Sequence, residues 1–124
     1  MNEQNEKLVR RWFQEVWNER NVGTIDQLAP ANLIGHHELA TTNSREDFKR
    51  FHAELLALIP DVKVAVEDVL ASDTDAVVRW RFSGTKPGGD DAVSFSGITW
   101  LKVKNGQFVE GWDCWNPAPV LALR

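Results

Sequence analysis

The sequence predicts an α+β fold in which helices pack on one face of an antiparallel sheet, and three observations support the prediction. In the first half, apolar residues recur at the 3.6-residue period of an amphipathic helix. After Pro60 the period changes to 2, which is typical of half-buried strands. Near the C-terminus, Asn105 and Gly106 separate two apolar runs, and this dipeptide is typical of a tight β-hairpin.

The first two predicted helices occupy the N-terminal thirty residues. The first spans residues 5–20 and carries its apolar stripe on Leu8, Val9, Trp12, Phe13, Val16 and Trp17. Thr24 and Gln27 form a possible capping box for a short second helix, residues 25–28, which must stop by Pro30. Two helices therefore lead the chain.

A short extended segment and a third helix complete the first half. Residues 32–38 read as extended and carry two adjacent histidines. Ser44 and Asp47 stand where an N-cap and a first-turn carboxylate belong, and Pro60 ends the helix that follows. Its buried stripe consists of Phe48, Phe51, His52, Leu55, Leu56 and Ile59.

Four strands follow, joined by short turns, and they form the predicted sheet. The alternating patterns span residues 62–67, 76–83, 92–103 and 107–115, with a glycine- and proline-rich loop at 84–91. Pro117 and Pro119 end the pairing. Because no linker, repeat or low-complexity tract interrupts this order, we expect residues 1–124 to form a single domain.

Composition limits the classes of function. The chain has 124 residues, a net charge of -4 and a pI near 5.3, which argues against a nucleic-acid-binding surface. No apolar run approaches the roughly 20 residues of a membrane span, and the N-terminus lacks a signal-peptide pattern. With Cys114 as the one cysteine, a disulfide framework is excluded. We expect a cytoplasmic protein that binds neither nucleic acid nor membrane.

The last predicted strand carries the most informative mixture of residues. Alternation places Phe108, Glu110, Trp112, Cys114 and Asn116 on one face and Val109, Gly111, Asp113 and Trp115 on the other. The first set combines large apolar and polar groups, as a small-molecule pocket requires. A core strand with a polar edge is the alternative.

The histidines are candidates for acid/base chemistry. His36 and His37 project to opposite faces of an extended segment, so at most one points inward, and His52 lies on the stripe of the third helix. Their spacing does not match a metal site, and the sequence contains no nucleophile elbow or phosphate-binding loop. We therefore expect no metal and no cofactor. Arg79 and Arg81 share one face of their strand, either exposed or paired with a carboxylate.

The sequence resembles the SnoaL-like polyketide cyclases of the nuclear transport factor 2-like superfamily. The resemblance lies in NEKLVRRWFQEVWNERNVGTIDQLAP, NLIGHHE, AVVRWRFSGTK and FSGITWLKVKNGQFVEGWDCWN, and it spans nearly the whole chain. It implies a curved antiparallel sheet wrapped by three N-terminal helices into a cone with an internal pocket. It also implies a cofactor-free cyclase, isomerase or lyase.

The resemblance also assigns site residues. It implies a pocket histidine at His36, an arginine at Arg79 and a tryptophan at Trp112, while Lys86 and Asn116 stand where the family has a histidine and an acid/base aspartate. An amide can donate a hydrogen bond to a carbonyl but cannot transfer a proton. Ketosteroid isomerases of the superfamily use a tyrosine, and this chain has no tyrosine.

We predict a domain that binds a lipophilic carbonyl compound, with His36 as the acid/base group. Asn116, which we count among the catalytic residues, orients the ligand together with Trp112. Asp113 is the reserve proton carrier, with Glu110 as the alternative. The predicted ligand contacts are Phe13, Trp17, Phe51, His52, Arg79, Lys86, Glu110 and Trp112. The alternative function is a non-catalytic binding or dimerisation domain. Aromatic residues such as Trp100 or Trp115 suit a homodimer interface, and the same residues equally suit the core.

Overall fold

A computed structural model describes residues 2–123 of the chain and shows an α+β fold, as the sequence predicts. The helices are α1 (Glu3–Trp12), which continues as a π-helical segment (Phe13–Asn18), α2 (Val22–Leu28), α3 (Arg45–Leu58) and α4 (Ala118–Leu121). The strands are β1 (Ile34–His36), β2 (Thr41–Thr42), β3 (Lys63–Ala71), β4 (Asp75–Thr85), β5 (Ala92–Lys104) and β6 (Gln107–Trp115).

The six strands form one curved, unclosed sheet in the order β2-β1-β6-β5-β4-β3. Every neighbouring pair is antiparallel except β1 and β6, which are parallel. The four strands predicted from the sequence, β3 to β6, pair antiparallel as predicted, and the short strand β1 adds one parallel pair. The parallel pair brings the segment with the two histidines beside the C-terminal strand.

The first helix covers most of the predicted range, but its second half is wound as a π-helix. Glu19 N–H donates to the carbonyl of Gln14, five residues earlier, at 3.0 Å. The Asn18 side chain then pairs with the backbone of Val64 in both directions, at 2.7 and 3.0 Å. These bonds dock the helix end on edge strand β3. Arg20, with a φ of 58°, ends the helix.

The second helix begins earlier than the sequence predicts. It starts at Val22, after an N-cap at Asn21, and so Thr24 lies inside it. The Thr24 hydroxyl donates to the Glu15 carboxylate at 2.6 Å instead of capping its own helix. A tertiary contact has replaced the predicted capping box.

The predicted start of α3 and the predicted hairpin are confirmed. The Ser44 hydroxyl accepts from the Asp47 N–H at 3.0 Å and caps α3. Asn105 and Gly106 both adopt positive φ, at 53° and 74°, as the tight turn between β5 and β6 requires.

A bulge in β6 changes which side chains share a face. Lys102 of β5 pairs with Glu110, whereas the next residue, Val103, pairs with Phe108, so Val109 is the extra residue. Phe108 is buried and points to the helices, while Glu110 points away. Phe108 and Glu110, which strict alternation places on one face, therefore lie on opposite faces of the sheet.

The core lies between the helices and the inner face of the sheet. Val9, Val16, Ile25, Val62 and Val78 are almost fully excluded from solvent there. Within residues 2–123, no helix has the length and apolar character that crossing a membrane requires.

Candidate active site

A cavity of about 60 Å³ lies between the helices and the inner face of the sheet. Nineteen residues line it, and ten of them are aromatic, so its walls are rigid and apolar. The helices contribute Trp12, Phe13, Trp17, Phe48 and Phe51, and the sheet contributes Trp80, Phe82, Phe95, Phe108 and Trp115. Such walls lower the local dielectric constant around any polar group that reaches the cavity.

Three polar side chains reach the cavity and are joined by hydrogen bonds. Thr99 of β5 and Asp113 of β6 are direct cross-strand partners, and His37 follows the end of β1. The Asp113 Oδ2 atom lies 2.6 Å from His37 Nδ1, and Asp113 Oδ1 lies 2.6 Å from the Thr99 hydroxyl. The side chains of His37 and Asp113 are 6% and 18% exposed.

The direction of the bonds on the Thr99 side follows from chemistry. The Trp80 indole can only donate, and its Nε1–H donates to Thr99 Oγ1 at 2.8 Å. Thr99 Oγ1 accepts that hydrogen bond, so the Thr99 O–H donates its own hydrogen bond to Asp113 Oδ1. Asp113 Oδ1 is therefore held as an acceptor.

His37 is hydrogen-bonded through both ring nitrogens. The Thr42 hydroxyl oxygen lies 3.4 Å from the Gly35 carbonyl oxygen and 3.3 Å from His37 Nε2. The tautomer of the imidazole decides whether Nε2 or the Thr42 hydroxyl is the donor of this hydrogen bond. One proton lies between His37 Nδ1 and Asp113 Oδ2. A contact of 2.6 Å between these two atoms is a hydrogen bond that shares this proton.

The His37 ring is fixed by its packing. It stacks on Phe51 with ring centroids 4.4 Å apart and an interplanar angle of 18°. Gly35 makes room for it, because a Cβ at that position would lie 2.5 Å from His37 Nε2 and 2.6 Å from Thr42 Oγ1. The hydrogen bonds and the stack together hold the imidazole in one orientation.

The structure places His36 outside the cavity, on the opposite face of the sheet. In the parallel register His36 pairs with Trp112, and both side chains point outward. His36 Nε2 lies 2.8 Å from the Glu110 carboxylate, and its ring stacks on Trp112 with centroids 5.3 Å apart. His36, Glu110 and Trp112 therefore form an exposed cluster, and the inward histidine is His37.

Arg79, Lys86 and Asn116 also lie away from the cavity. Arg79 is on the outer face of β4, paired with Asp68 and Glu67. Lys86 is exposed in the loop after β4, and exposed Asn116 accepts from the N–H of Ala118 at 3.1 Å at the start of α4. None of the three is among the residues that line the cavity.

His52 is buried behind the cavity wall. Its Nε2–H donates to the carbonyl of Val16 at 2.7 Å, and its ring packs on Trp17 at 4.8 Å. Burial is the main cause that lowers the pKa of His52, with a smaller contribution from the positive charge of Arg20. The imidazole is held neutral and supports the helix end.

Four of the predicted site residues, Phe13, Trp17, Phe51 and Asp113, line the cavity. The polar residues that the sequence analysis missed are His37, Thr99 and Thr42. The strand register is the feature that could have identified Thr99 and Asp113. If the Trp80 side chain faces the helices, then Thr99 on the next strand and its cross-strand partner Asp113 face the helices too. Within the described range, 2–123, no three His, Cys, Asp or Glu side chains gather as metal ligands would.

Comparison with known proteins places the chain in a family. No curated protein matches the sequence. A protein from Jannaschia sp. CCS1, provisionally classed as a SnoaL-like polyketide cyclase, has a TM-score of 0.85 at 22% identity, covering 97% of this chain and 90% of its own. AclR from Streptomyces galilaeus, provisionally classed as a hydroxylase, has a TM-score of 0.80 at 21% identity, covering 97% and 93%.

A third solved structure has the same fold without an assigned activity. The nuclear transport factor 2-like protein of unknown function from Burkholderia pseudomallei K96243 has a TM-score of 0.84 at 17% identity, covering 99% of this chain and 98% of its own. At these identities the likeness shows the fold alone. The family model for SnoaL-like polyketide cyclases matches residues 7–122. The chain belongs to the SnoaL-like polyketide cyclase family.

Proposed function

We propose that the cavity is the active site of a cofactor-free acid/base catalyst that acts on a lipophilic carbonyl compound, as an isomerase, lyase or cyclase. One observation carries the proposal: the hydrogen bonds leave one proton between His37 Nδ1 and Asp113 Oδ2, 2.6 Å apart, at the wall of an apolar cavity. A group that holds and returns one proton is what enolisation requires.

Asp113 is the base in this proposal. Its carboxylate takes a proton from the carbon next to the substrate carbonyl, and the electron pair of that C–H bond forms the enolate. The hydrogen bonds from His37 and Thr99 hold the carboxylate in position, and the apolar walls strengthen its electrostatic interaction with the reacting C–H group. Asp113 is the more accessible partner, at 18% exposure against 6% for His37.

The second half of the reaction returns the proton. Its delivery to a different carbon gives an isomer. Attack of the enolate carbon on a second carbonyl of the same molecule, with the proton delivered to the new alkoxide, closes a ring. In both cases the His37–Asp113 pair ends with the proton it began with. Membership of the SnoaL-like family supports this class of chemistry.

The test is a measurement of hydrogen exchange on a simple ketone. We expect the protein to speed deuterium incorporation next to the carbonyl of cyclohexyl methyl ketone in D2O, followed by 1H NMR. Asp113→Asn keeps the size of the side chain and the acceptor for Thr99 but removes the base, so the rate should fall by about 10²- to 10⁴-fold.

Two further variants make the test specific. Asp90→Asn removes a carboxylate from an exposed loop and should keep the full rate. His36→Gln tests whether the histidine on the outer face contributes to exchange, and it should keep the full rate. If His36→Gln loses exchange while Asp113→Asn retains it, the cavity is not the active site. A wild-type protein that leaves the exchange rate unchanged would refute catalysis on this substrate class.

The second candidate is the non-catalytic binding domain, and one observation favours it. The positions at which the family resemblance implies acid/base residues, Lys86 and Asn116, are exposed and away from the cavity. In that case the cavity binds a ligand without turnover. Binding of cyclohexyl methyl ketone without any exchange would support this candidate.

A further inference from the structure

We infer that Trp80 is a positioning residue of the site: through the Thr99 hydroxyl it holds the Asp113 carboxyl group in one orientation. The inference rests on the proposed function for the role of Asp113 as the base. The hydrogen bonds that carry it belong to the folded chain itself, so they can be tested without a substrate.

Trp80 lies in a cross-strand row that has a glycine at its centre. Trp80 of β4 pairs with Gly97 of β5, and Gly97 pairs with Trp115 of β6. A Cβ at position 97 would lie 2.8 Å from Trp80 Cζ2 and 2.7 Å from Trp115 Cβ. Because Gly97 has no side chain, the Trp80 indole can lie across β5.

The indole therefore reaches the next inward position of β5. Thr99 is two residues beyond Gly97, so its side chain is on the same face of the sheet. The direct cross-strand partner of Thr99 is Val78, yet Trp80 Nε1 lies 2.8 Å from Thr99 Oγ1. The contact is thus a diagonal one, which a large aromatic side chain can span.

The Trp80 ring is itself held in place. It is 4% exposed and packs on Phe82 with ring centroids 4.8 Å apart, on Phe95 at 6.1 Å and on Trp115 at 6.3 Å. An indole N–H can only donate, and a buried donor that loses its partner is costly. The bond from Trp80 to Thr99 is therefore a firm anchor.

Trp80 acts on the Thr99 hydroxyl in two ways. The bond to Oγ1 fixes the rotamer of Thr99, which directs the hydroxyl hydrogen to Asp113 Oδ1 at 2.6 Å. A hydroxyl that accepts one hydrogen bond is also polarised, and this strengthens the bond that it donates. Neither effect depends on where the proton between His37 and Asp113 lies.

The consequence for Asp113 is that both of its carboxyl oxygens are held. Oδ1 accepts from Thr99, and Oδ2 lies 2.6 Å from His37 Nδ1. Rotation of an aspartate carboxyl group about χ2 is soft, so a group that is held at one oxygen can turn. A group that is held at both keeps the orientation that proton transfer from a bound substrate requires.

The test follows the 13C NMR signal of the Asp113 carboxyl carbon in the ligand-free protein at constant pH, assigned by its loss in Asp113→Asn. Thr99→Val keeps the shape of the side chain and removes the hydroxyl, so we expect the signal to move. Thr99→Ser keeps a hydroxyl and should leave the signal near the wild-type position.

The decisive variants change Trp80. Trp80→Phe removes the N–H but leaves a gap in the wall, so a second variant carries β-(3-benzothienyl)alanine at position 80, in which sulfur replaces the N–H and the ring shape is kept. We expect this isostere to move the Asp113 signal in the same direction as Thr99→Val, by a smaller amount. In the Thr99→Val background it should have no further effect, because Trp80 acts through Thr99.

Thr85→Val is the matched control for a lost hydroxyl. The Thr85 hydroxyl donates to Asp61 Oδ2 at 2.7 Å, and neither residue lines the cavity. The variant should move the carboxyl signal of Asp61 and leave that of Asp113 in place.

Deuterium exchange on cyclohexyl methyl ketone separates the inference from the proposed function. We expect the rate to fall about tenfold in Thr99→Val and by a smaller factor in the isostere. If the Asp113 signal moves as expected in a protein without exchange, the role of Trp80 is supported and the proposed function is refuted. The inference is overturned if the isostere leaves the Asp113 signal unchanged, or moves it equally with and without the Thr99 hydroxyl, even where exchange occurs. An active protein that keeps its full rate in Thr99→Val would also overturn it.

Discussion

Gly35 controls the position of the inward histidine. A methyl group at this position would lie 2.5 Å from His37 Nε2, and the imidazole cannot retreat because it stacks on Phe51 and bonds Asp113. We expect Gly35→Ala to displace the imidazole and to lower the free energy of unfolding by about 1–3 kcal/mol, measured by urea denaturation. Deuterium exchange on the ketone should fall in the same variant.

Gly89→Ala is the matched control, because a Cβ there has no neighbour within 4 Å. Its stability and exchange rate should stay at the wild-type level. If Gly35→Ala behaves like Gly89→Ala, then the close packing around His37 does not govern the site.

The adjacent histidines show how far single residues can be predicted. The sequence establishes that His36 and His37 face opposite sides, since neighbours on an extended chain alternate. It does not establish which one faces the helices, because that depends on the pairing of β1 with the distant strand β6. His36 and Glu110, which are in contact across these strands, are 74 positions apart in the sequence. The parallel register of Gly35 with Gly111 decides it.

The junction of α3 with the π-helical segment depends on a neutral histidine. His52 Nε2–H donates to the Val16 carbonyl at 2.7 Å, and burial together with the charge of Arg20 lowers the pKa of His52. The unfolded chain therefore takes up a proton at a higher pH than the folded chain. Stability is full above the ordinary histidine pKa of about 6.5 and falls as the pH drops below it.

Urea denaturation at several pH values tests this junction. We expect the wild type to lose more stability between about pH 7.5 and pH 5.5 than His52→Gln, which keeps an N–H donor and does not titrate. Titration of the other groups is common to both proteins and cancels in the comparison. The same pH dependence in both proteins would show that His52 is not the group responsible.

Among the elements, the long helices and the β5–β6 hairpin are predictable because their signals are local. The helix cap at Ser44 and the turn at Asn105-Gly106 can each be recognised from a few neighbouring residues. The bulge at Val109 is not predictable in this way, because it is a mismatch between two strands. Strict alternation therefore groups Phe108 with Glu110, and the bulge separates them.

The sheet gives the molecule two faces with different properties. The inner face closes the cavity, while the outer face carries an apolar row in cross-strand register: Leu70, Val77, Trp100, Trp112 and His36. Leu70, Trp100 and Trp112 are 70%, 50% and 38% exposed. A row of this kind across five strands is typical of a surface that meets a partner.

Charged residues flank the row on both sides. On one side lie Asp75, Lys102 and Glu110, and on the other lies Arg81, which forms no ion pair within residues 2–123. We propose that a second copy of the chain covers this face.

We expect a homodimer in solution, as the exposed aromatic residues predict, with a mass near twice 14.1 kDa by light scattering. Trp100→Arg places a charge at the centre of the row and should give a monomer, since a buried unpaired charge opposes association. Trp100 is 50% exposed in the single chain, so the substitution should leave the fold intact. Val22→Arg changes an equally apolar, 44% exposed side chain on α2 and should stay dimeric. A monomeric wild type, or a dimeric Trp100→Arg, would mean that the outer face is not where two copies meet.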